Sequence, residues 1–407
     1  MNISIKLIIT FLIFVTISSC SNANKSSIIL KDVAIINIQD GQISVNSILI
    51  ENSIIKEIGL YSELNKNNLT KVINCKGKYV IPGLFDMHTH LFEEEDSSRF
   101  LDTLLSNGII GLRDMGGVAD SLATLKSNIK LKIIDGPDIY FAGPTLDGEG
   151  STDPGHLIVN DSTDIKSLVT RLNELKVDHI KVYNYFPINR LEELINEAQK
   201  YEIKVAGHIP WGIDGVDAAI LGMSSIEHMS SLVSGLVLKK SNQINTITEA
   251  FVAMDSSYIN SLSKSFIEHQ TAFTPTLYTM QEGYNSSDDE NSRRLGMLMM
   301  DRFLPILLAM KKNGVLILAG SDVVPINENN TDALHKELKW LVKAGFSNLE
   351  ALQTATLNPT KFLKIDNEYG SIEVNKKASL IILNSNPIDD ISNSKDINFV
   401  LKNGKLY

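Results

Sequence analysis

The stretch VIPGLFDMHTH, residues 80–90, is an apolar run that ends in two histidines one residue apart. Alternate side chains of a β-strand point to the same face, so His88 and His90 are predicted to project together from a strand end. Pro82 and Gly83 break the chain just before the run, which favours a strand that begins a new layer or domain. The pair is either half of a metal site or two polar residues at a strand end.

Length and composition fit one large α/β domain with a smaller unit beside it. The chain has 407 residues, of which 43% are hydrophobic, and a single α/β barrel takes about 250 residues. The formal net charge is -10 and no basic run is present, which argues against nucleic acid as a partner. Neither a Walker-type phosphate loop nor a dinucleotide fingerprint occurs, so no nucleotide cofactor is predicted.

The N-terminal sequence MNISIKLIITFLIFVTISSC has the pattern of an export signal. Lys6 supplies the basic start, and residues 7–17 form an apolar core that is shorter than the roughly 20 residues needed to span a bilayer. Two serines before Cys20 resemble a bacterial lipobox, which predicts a lipid on Cys20 as the protein's membrane contact. The predicted location is the periplasm or cell envelope. An ordinary secreted protein with nearby cleavage and an uncleaved anchor are the alternatives.

Both ends of the mature chain consist of short predicted strands divided by turns. β-branched and polar residues alternate up to residue 80, and a similar pattern returns in GSIEVNKKASLIILN and INFVLKNGKLY. We therefore expect both termini to form one small β-sandwich domain around an α/β centre. The predicted organisation is a signal peptide (1–20), a tether (21–27), the N-terminal sandwich segment (28–80), a barrel (81–364) and the C-terminal sandwich segment (365–407).

The centre of the chain alternates apolar strands with amphipathic helices. Residues 190–200, RLEELINEAQK, carry apolar side chains at helical spacing. Eight such strand and helix units, the last strand being GVLILAGSD at 314–322, predict a (β/α)8 TIM-like barrel with its site at the C-terminal strand ends. Residues 281–294, QEGYNSSDDENSRR, are polar without an apolar period. They are expected to be a mobile rim loop or a solvated excursion.

Side chains that can bind a metal recur at the predicted strand ends. They are His88 and His90 after the first strand, Lys181 in the fourth, His208 after the fifth, His228 after the sixth and Asp322 after the eighth. Barrel closure would bring them to one rim, and histidine with carboxylate suits a divalent cation such as Zn²⁺. The alternatives are core histidines at positions 208 and 228 and a helix N-cap at Asp322.

The ordered motifs of the chain resemble the amidohydrolase superfamily, in its branch of imidazolonepropionase-like metal-dependent hydrolases and dipeptidases. These motifs are VIPGLFDMHTH, IGLRDMGG, HIKVYNYF, VAGHIP, SSIEHM, LAGSD and LNPTKFLKID. The resemblance covers nearly all of residues 28–407. It implies two groups of metal ligands, His88, His90 and Asp322 for one ion and His208 and His228 for a second.

The resemblance also implies that Lys181 bridges the two ions as an N-carboxylated lysine. An ammonium repels two cations, whereas a carbamate shares two anionic oxygens between them. An unmodified Lys181 would instead pair with a carboxylate, and the site would then hold one metal, as in the imidazolonepropionases. The predicted cofactor is therefore a divalent metal, with Zn²⁺ favoured, at two ions per chain if Lys181 is carboxylated and one otherwise.

Such a site implies an exported hydrolase that attacks a C–N bond of a small amide or peptide with a metal-activated hydroxide. Asp322 would accept the water's proton and pass it to the leaving amine, and His228, if not a ligand, would stabilise the oxyanion. The first substrate class is a dipeptide or an N-acyl amino acid. The alternatives are opening of a cyclic amide or deamination at one metal, and a binding lipoprotein without catalysis.

Several further residues are predicted to contact the substrate. They are Arg113 after the second strand, His156 in the loop after the third, Tyr183 two positions beyond Lys181, Tyr278 after the seventh strand and His335 in the last barrel helix. Structural roles are the alternatives: Arg113 pairs with Asp114, Tyr278 packs, and His335 is solvated. Glu337 in the same helix is also expected to be solvated. Whether the protein forms a homo-oligomer is left open by the sequence.

Overall fold

The computed structural model of the protein describes residues 27–91, 97–239, 247–323 and 330–407. The predicted signal peptide, nearly all of the predicted tether and Cys20 lie outside these residues. Among the residues that are described, no helix is both long and apolar enough to cross a membrane.

Strands and helices alternate along most of the described chain. The strands are β1 (Ser27–Ile36), β2 (Ile43–Glu51), β3 (Ile54–Gly59), β4 (Lys71–Asn74), β5 (Tyr79–Pro82), β6 (Leu84–Thr89), β7 (Ile109–Asp114), β8 (Asp138–Phe141), β9 (Leu146–Asp147), β10 (Leu157–Ile158), β11 (His179–Val182), β12 (Lys204–Gly207), β13 (Ser225–Glu227), β14 (Ala272–Thr274), β15 (Leu380–Leu383), β16 (Ile397–Lys402) and β17 (Lys405–Leu406). The helices are α1 (Ser97–Ser106), α2 (Ala119–Lys130), α3 (Ile165–Glu174), α4 (Ile188–Gln199), α5 (Gly215–Leu221), α6 (Met229–Lys239), α7 (Ile247–Ala253), α8 (Ser256–Glu268), α9 (Leu277–Asn285), α10 (Glu290–Lys312), α11 (Ala333–Lys343), α12 (Asn348–Thr354) and α13 (Leu357–Leu363).

One sheet combines strands from both ends of the described chain. Its order is β17-β16-β15-β5-β1-β2-β3, and β4 pairs with β1 on the side. The two ends join where β15 runs antiparallel to β5, with Ile381 opposite Ile81. Ile48, Val80 and Ile382 are buried in the core of this sheet. The termini therefore share a sheet, whereas the second layer of a sandwich and the domain boundaries stay predictions.

The centre of the chain forms parallel sheets, as the apolar strand pattern predicted. One sheet has the order β6-β7-β8 and the other the order β10-β9-β11-β12-β13-β14. Every residue of β6 and β7 is buried, which is typical of parallel strands covered on both faces. Helix α4 packs Leu191, Leu194 and Ile195 inward at helical spacing. The α/β class is confirmed.

Residues 314–322, predicted as an eighth strand, do not form a regular strand. They contact their neighbours through isolated parallel bridges, Ile317 with Phe273 of β14 and then Val323 with Thr89 of β6. The segment ends at Asp322, whose φ of 53° lies in the left-handed region that strands do not adopt. The segment still runs between β14 and β6, and it places Asp322 beside the strand that carries the histidine pair.

The polar residues 281–294 are largely helical, so the prediction of a rim loop was wrong, whereas most of their side chains are exposed, as the alternative of a solvated excursion predicted. Helix α9 continues to Asn285, and α10 begins at Glu290. Asp289 caps α10 by accepting hydrogen bonds from the backbone of the first turn. The ring of Tyr284 also packs closely against α10. A cap and one aromatic contact order this segment although it has few apolar residues.

Candidate metal centre

Four histidines and one aspartate converge at the C-terminal ends of the parallel strands. His88 and His90 end β6, and His208 and His228 directly follow β12 and β13. Asp322 lies at the end of residues 314–322, which we call the bridged segment because isolated bridges join it to its neighbours. Asp322 Oδ1 is 3.4 Å from His88 Nε2 and 3.5 Å from His90 Nε2. The His228 ring centroid is 4.6 Å from that of His88 and 4.7 Å from that of His208. The structure thus brings these predicted metal-binding residues together.

One group of three potential ligands cuts across the predicted grouping. Donor atoms of His88, His228 and Asp322 all lie within 4.8 Å of one another, although the resemblance assigned His228 to a second ion with His208. His228 lies between the two predicted ligand groups, in ring contact with a histidine of each. Three ligands of this kind suffice for one catalytic zinc ion.

Each of the four histidines has its Nδ1 atom within hydrogen-bond distance of a protein oxygen. The pairs are His88 with Glu227 Oε2 at 3.0 Å, His90 with the Gly116 carbonyl at 3.2 Å, His208 with Asn184 Oδ1 at 3.0 Å and His228 with Thr276 Oγ1 at 2.6 Å. An imidazole that donates from Nδ1 presents a lone pair at Nε2, which is the arrangement of metal-binding histidines.

The buried Nε2 atom of His88 supports the same conclusion. This atom has no hydrogen-bond partner among the described residues, and an unpaired buried polar atom is costly unless a ligand satisfies it. It lies beside the Asp322 carboxylate. The residues present therefore fit a divalent metal ion.

Burial and neighbouring charges shift the pKa values of these side chains toward the protonation states that bind a metal. Burial, aided by the charge of Lys181, lowers the pKa of His88 well below its ordinary value, and burial also lowers the pKa of His208 and His228. Burial alone would raise the pKa of Asp322, but the hydrogen bond from His90 and nearby positive charges hold it below its usual range. At neutral pH the site therefore combines neutral imidazoles with an ionised carboxylate.

Three residues of the site have left-handed backbone conformations. The φ angles are 68° at His228, 48° at Thr276 and 53° at Asp322, and such conformations cost about 1–3 kcal/mol each for residues other than glycine. The conformation is least expected at Thr276 because its side chain is β-branched. With these backbone conformations, the side chains of His228 and Asp322 point toward each other although the two residues belong to separate segments of the chain.

Glu337 stabilises the backbone next to Thr276, although the sequence predicted a solvated side chain at this position. Its carboxylate is fully buried and accepts hydrogen bonds from the backbone of Leu277 at 3.1 Å and Tyr278 at 2.7 Å. These are the first two residues of α9, directly after Thr276, so Glu337 anchors the turn that holds His228. Burial raises the pKa of Glu337 to about 8.

Glu227 and Arg113 form a buried pair beneath the histidines. Arg113 Nη2 is 2.8 Å from both oxygens of Glu227, and the guanidinium also donates to Ser225 Oγ and the Met87 carbonyl. Arg113 is only 1% exposed, so it supports Glu227 and does not contact the substrate as predicted. Glu227 was missed, and the available signal was an acidic residue inside the buried strand SIE.

Lys181 is buried on β11 and faces the cavity that contains the histidines. Burial lowers the pKa of its amine, and the carboxylates of Asp322, Glu227 and Asp114 oppose that effect. Within the described residues, its ammonium has neither a hydrogen bond nor an ion pair. The alternative of a strand lysine in direct contact with a carboxylate therefore has no support there.

One cavity of about 1010 Å³ contains His90, Lys181, His208, His228 and Asp322. Two of the predicted substrate residues, His156 and Tyr183, also line it. The ring of Tyr183 packs on His208 at 3.9 Å between centroids, and on His156 at 4.9 Å. His156 Nδ1 lies 2.8 Å from Ser151 Oγ and 3.2 Å from Asp147 Oδ2, which fixes the ring. These two aromatic side chains are placed where a substrate would lie.

Tyr278 and His335 do not line this cavity, contrary to prediction. Lys336 Nζ donates to the Tyr278 hydroxyl at 3.0 Å, and the ring is buried beside Val323. His335 is 1% exposed and bonds to Ser394 Oγ and the Asn107 carbonyl, both at 2.9 Å. Tyr278 of α9 packs against Val323 and Ala333, and His335 of α11 is held by its two hydrogen bonds, so both side chains have structural contacts.

A comparison with protein families matches residues 79–407 to the amidohydrolase family. The chain belongs to this family. The match includes all the proposed metal ligands and the strands that carry them, and it confirms the resemblance seen in the motifs.

Individual relatives in this family are distant. Adenine deaminase of Ligilactobacillus salivarius is 23% identical over 91% of this chain and 56% of its own length. The 5′-deoxyadenosine deaminase of Methanobrevibacter smithii is 41% identical over 16% of this chain and 15% of its own. The chain thus spans less than two thirds of these curated relatives. A solved Xaa-Pro dipeptidase with bound methionine is 23% identical, with a TM-score of 0.75 over 94% of this chain and 100% of the dipeptidase, which shows a shared fold.

Proposed function

We propose that this chain is a metal-dependent hydrolase that cleaves the C–N bond of a dipeptide or an N-acyl amino acid. The observation that carries the proposal is the set of four histidines with oriented Nδ1 atoms around Asp322. His90, His208, His228 and Asp322 line a cavity large enough for a small organic substrate. Membership of the amidohydrolase family and a structural relative named as a dipeptidase support the same reaction class.

We propose Zn²⁺ as the cofactor, held by the four histidines, Asp322 and, when carboxylated, Lys181. Imidazole nitrogen and carboxylate oxygen are ligands that zinc prefers. When bound, such a cation lowers the pKa of water and polarises an amide carbonyl. Carboxylation of Lys181 requires the neutral amine, and burial of this side chain favours that form.

The protein's own groups would handle the protons of the reaction. Asp322 is ionised at neutral pH and would accept a proton from the attacking water and return it to the leaving nitrogen. His228, held at Nδ1 by Thr276, would act as a metal ligand or stabilise the negative oxygen that develops on the substrate. Tyr183 and His156 would orient the substrate from the wall of the cavity.

The proposed architecture is a (β/α)8 barrel inserted into a small β-sandwich domain. Backbone hydrogen bonds support closure of the barrel at residues 314–322. The N–H of Phe273 in β14 donates to the Leu316 carbonyl, and the N–H of Met87 in β6 donates to the Ala319 carbonyl. The bridged segment thus has a neighbour on each side. The shared sheet of the two chain ends supports the smaller domain.

Export and a lipid on Cys20 are a further proposal, which rests on the signal-like N-terminal sequence. Expression with a radiolabelled fatty acid tests it. We expect label in the membrane-associated wild-type protein and none in Cys20→Ser. Label that persists in the variant would contradict the lipid assignment.

A second candidate is deamination or opening of a cyclic amide at one metal. It is supported by the deaminase names of the matched curated relatives and by the compact cluster of His88, His228 and Asp322. A bridging Lys181 and two ions per chain would count against it.

The metal content of the purified mature protein distinguishes the two candidates. Protein expressed with bicarbonate should carry two zinc ions per chain by elemental analysis and should hydrolyse dipeptides or N-acyl amino acids. One ion per chain, with ammonia released from aminopurines and no cleavage of acyl amino acids, would replace the proposal with the second candidate. Absence of bound metal would contradict both.

A further inference from the structure

Besides the candidate metal ligands, several apolar side chains line the cavity. Leu168, Leu172 and Leu175 contribute from α3 and its C-terminal end. Their spacing of i, i+4 and i+7 puts them on one face of the helix. Val118, before α2, and Leu157 of β10 also line the cavity. This surface, which we call the apolar arm, is part of the cavity that contains His90 and Asp322.

Charged groups of the arm lie at its rim. Among the described lining residues, Arg171 of α3 and Asp120 of α2 are exposed, whereas Leu172 is buried. Arg171 has no ion pair in the described part of the chain. The arm therefore presents hydrocarbon to a bound molecule and places its charges near water.

The size of the cavity exceeds what a small dipeptide needs. A volume of about 1010 Å³ is at the upper end of the range of roughly 300–1,000 Å³ that accommodates drug-sized ligands. Polar side chains such as Tyr183 and His156 occupy the part near the metal ligands. A substrate that filled the whole cavity would thus combine a polar part at the metal centre with an extended apolar part.

We propose that the apolar arm binds the acyl chain of the substrate, so that the enzyme prefers N-acyl amino acids with medium-length chains to short dipeptides. This inference rests on the proposed hydrolase function. The amino acid half of such a substrate carries a carboxylate, for which the arm has no buried charged partner among its described residues. The acyl chain is hydrocarbon throughout and matches the leucine face of α3.

A chain-length series tests the preference directly. The substrates are N-acyl-L-alanines from acetyl to decanoyl, used below their micellar concentrations with zinc-loaded mature enzyme. We expect kcat/KM to rise about three- to fourfold with each added methylene until the arm is full, because each buried methylene contributes a constant transfer free energy. A flat or falling series would overturn the inference while the hydrolase proposal stands.

Matched variants locate the effect in the arm. Leu168→Gln should lower kcat/KM for the decanoyl substrate at least about tenfold and leave the acetyl substrate unchanged, since a polar amide replaces several buried methylenes. Leu131→Gln, the same change at an exposed leucine after α2, should alter neither. Val118→Gln, at a more exposed position of the arm, repeats the test if Leu168→Gln does not fold. Equal losses for both substrates would assign these residues a structural role only.

Binding separates failure of the inference from failure of the proposed function. Titration of metal-loaded Asp322→Asn protein with N-decanoyl- and N-acetyl-L-alanine measures affinity without turnover. Tighter binding of the decanoyl compound, lost in a Leu168→Gln double variant, would support the arm even if no acyl amino acid were hydrolysed. Equal affinities would refute it.

Discussion

The Nδ1 atom of His88 lies 3.0 Å from Oε2 of Glu227, a residue 139 positions away in the chain. Both oxygens of Glu227 also accept hydrogen bonds from Arg113 Nη2 at 2.8 Å. The carboxylate is fully buried, so it orients the imidazole without contact with solvent. The network joins three strands, because His88 lies on β6, Arg113 on β7 and Glu227 on β13.

Glu227→Gln should weaken zinc binding about 10- to 100-fold, the usual effect of removing a partner that orients a ligand. Glutamine keeps the size of the side chain but removes the negative charge that His88 and Arg113 share. Competition with a chromophoric chelator measures the affinity, and circular dichroism checks the fold. Glu174→Gln, at an exposed position of α3, is the control and should bind zinc like the wild type. An unaltered zinc affinity in Glu227→Gln would remove Glu227 from the site.

Asp322→Asn should reduce kcat by about 10²- to 10⁴-fold, which is the usual contribution of a general base. The amide cannot accept the proton of the attacking water, while the four histidines still bind the metal. Turnover and zinc content are measured on the same preparation. Asp120→Asn changes an exposed carboxylate at the rim of the cavity and should keep full activity. A metal-loaded Asp322→Asn enzyme with normal turnover would end the proposed role of Asp322 as proton acceptor.

The sequence predicted the α/β class and the convergence of the candidate metal ligands because both depend on local patterns. Apolar runs that alternate with amphipathic helices specify buried parallel strands, and each ligand stands at or near the end of such a run. Parallel strands place those ends on one side of the sheet. His88, His208 and Asp322 could therefore be assigned to one site before any distance was known.

The residues that hold the ligands in place could not be predicted in the same way. Glu227 and Glu337 act through side chains and backbone groups far away in sequence, and their patterns match ordinary strand and helix positions. Gly320 is similar: a Cβ atom there would lie 2.7 Å from the Cβ of His88, but only the packed structure reveals this close approach. Arg113 was misassigned because nothing in the second strand indicates on which side of the sheet its side chain lies.

Lys181→Ala should lower the metal content from two ions per chain to one and reduce activity. Alanine cannot carry the carbamate that is proposed to bridge the ions. Addition of a small carboxylic acid such as propionate should restore part of the second metal, since it supplies the missing oxygens. Lys166→Ala, on the exposed face of α3, serves as the control for loss of one lysine. Two tightly bound ions in Lys181→Ala would mean that Lys181 is not a bridge.

His335→Gln should make the stability of the metal-free protein less dependent on pH. Burial lowers the pKa of His335 to about 4, from the ordinary 6.5. Between these values the unfolded chain binds a proton that the folded protein excludes, so stability falls as the pH drops through this window, by about 3 kcal/mol in all. Glutamine does not titrate, and its amide can still bond to Ser394 and the Asn107 carbonyl.

Urea unfolding at pH steps from 7 to 4, with a chelator present, should give a shallower pH dependence for the variant. An identical slope in His335→Gln would show that folding does not lower the pKa of His335.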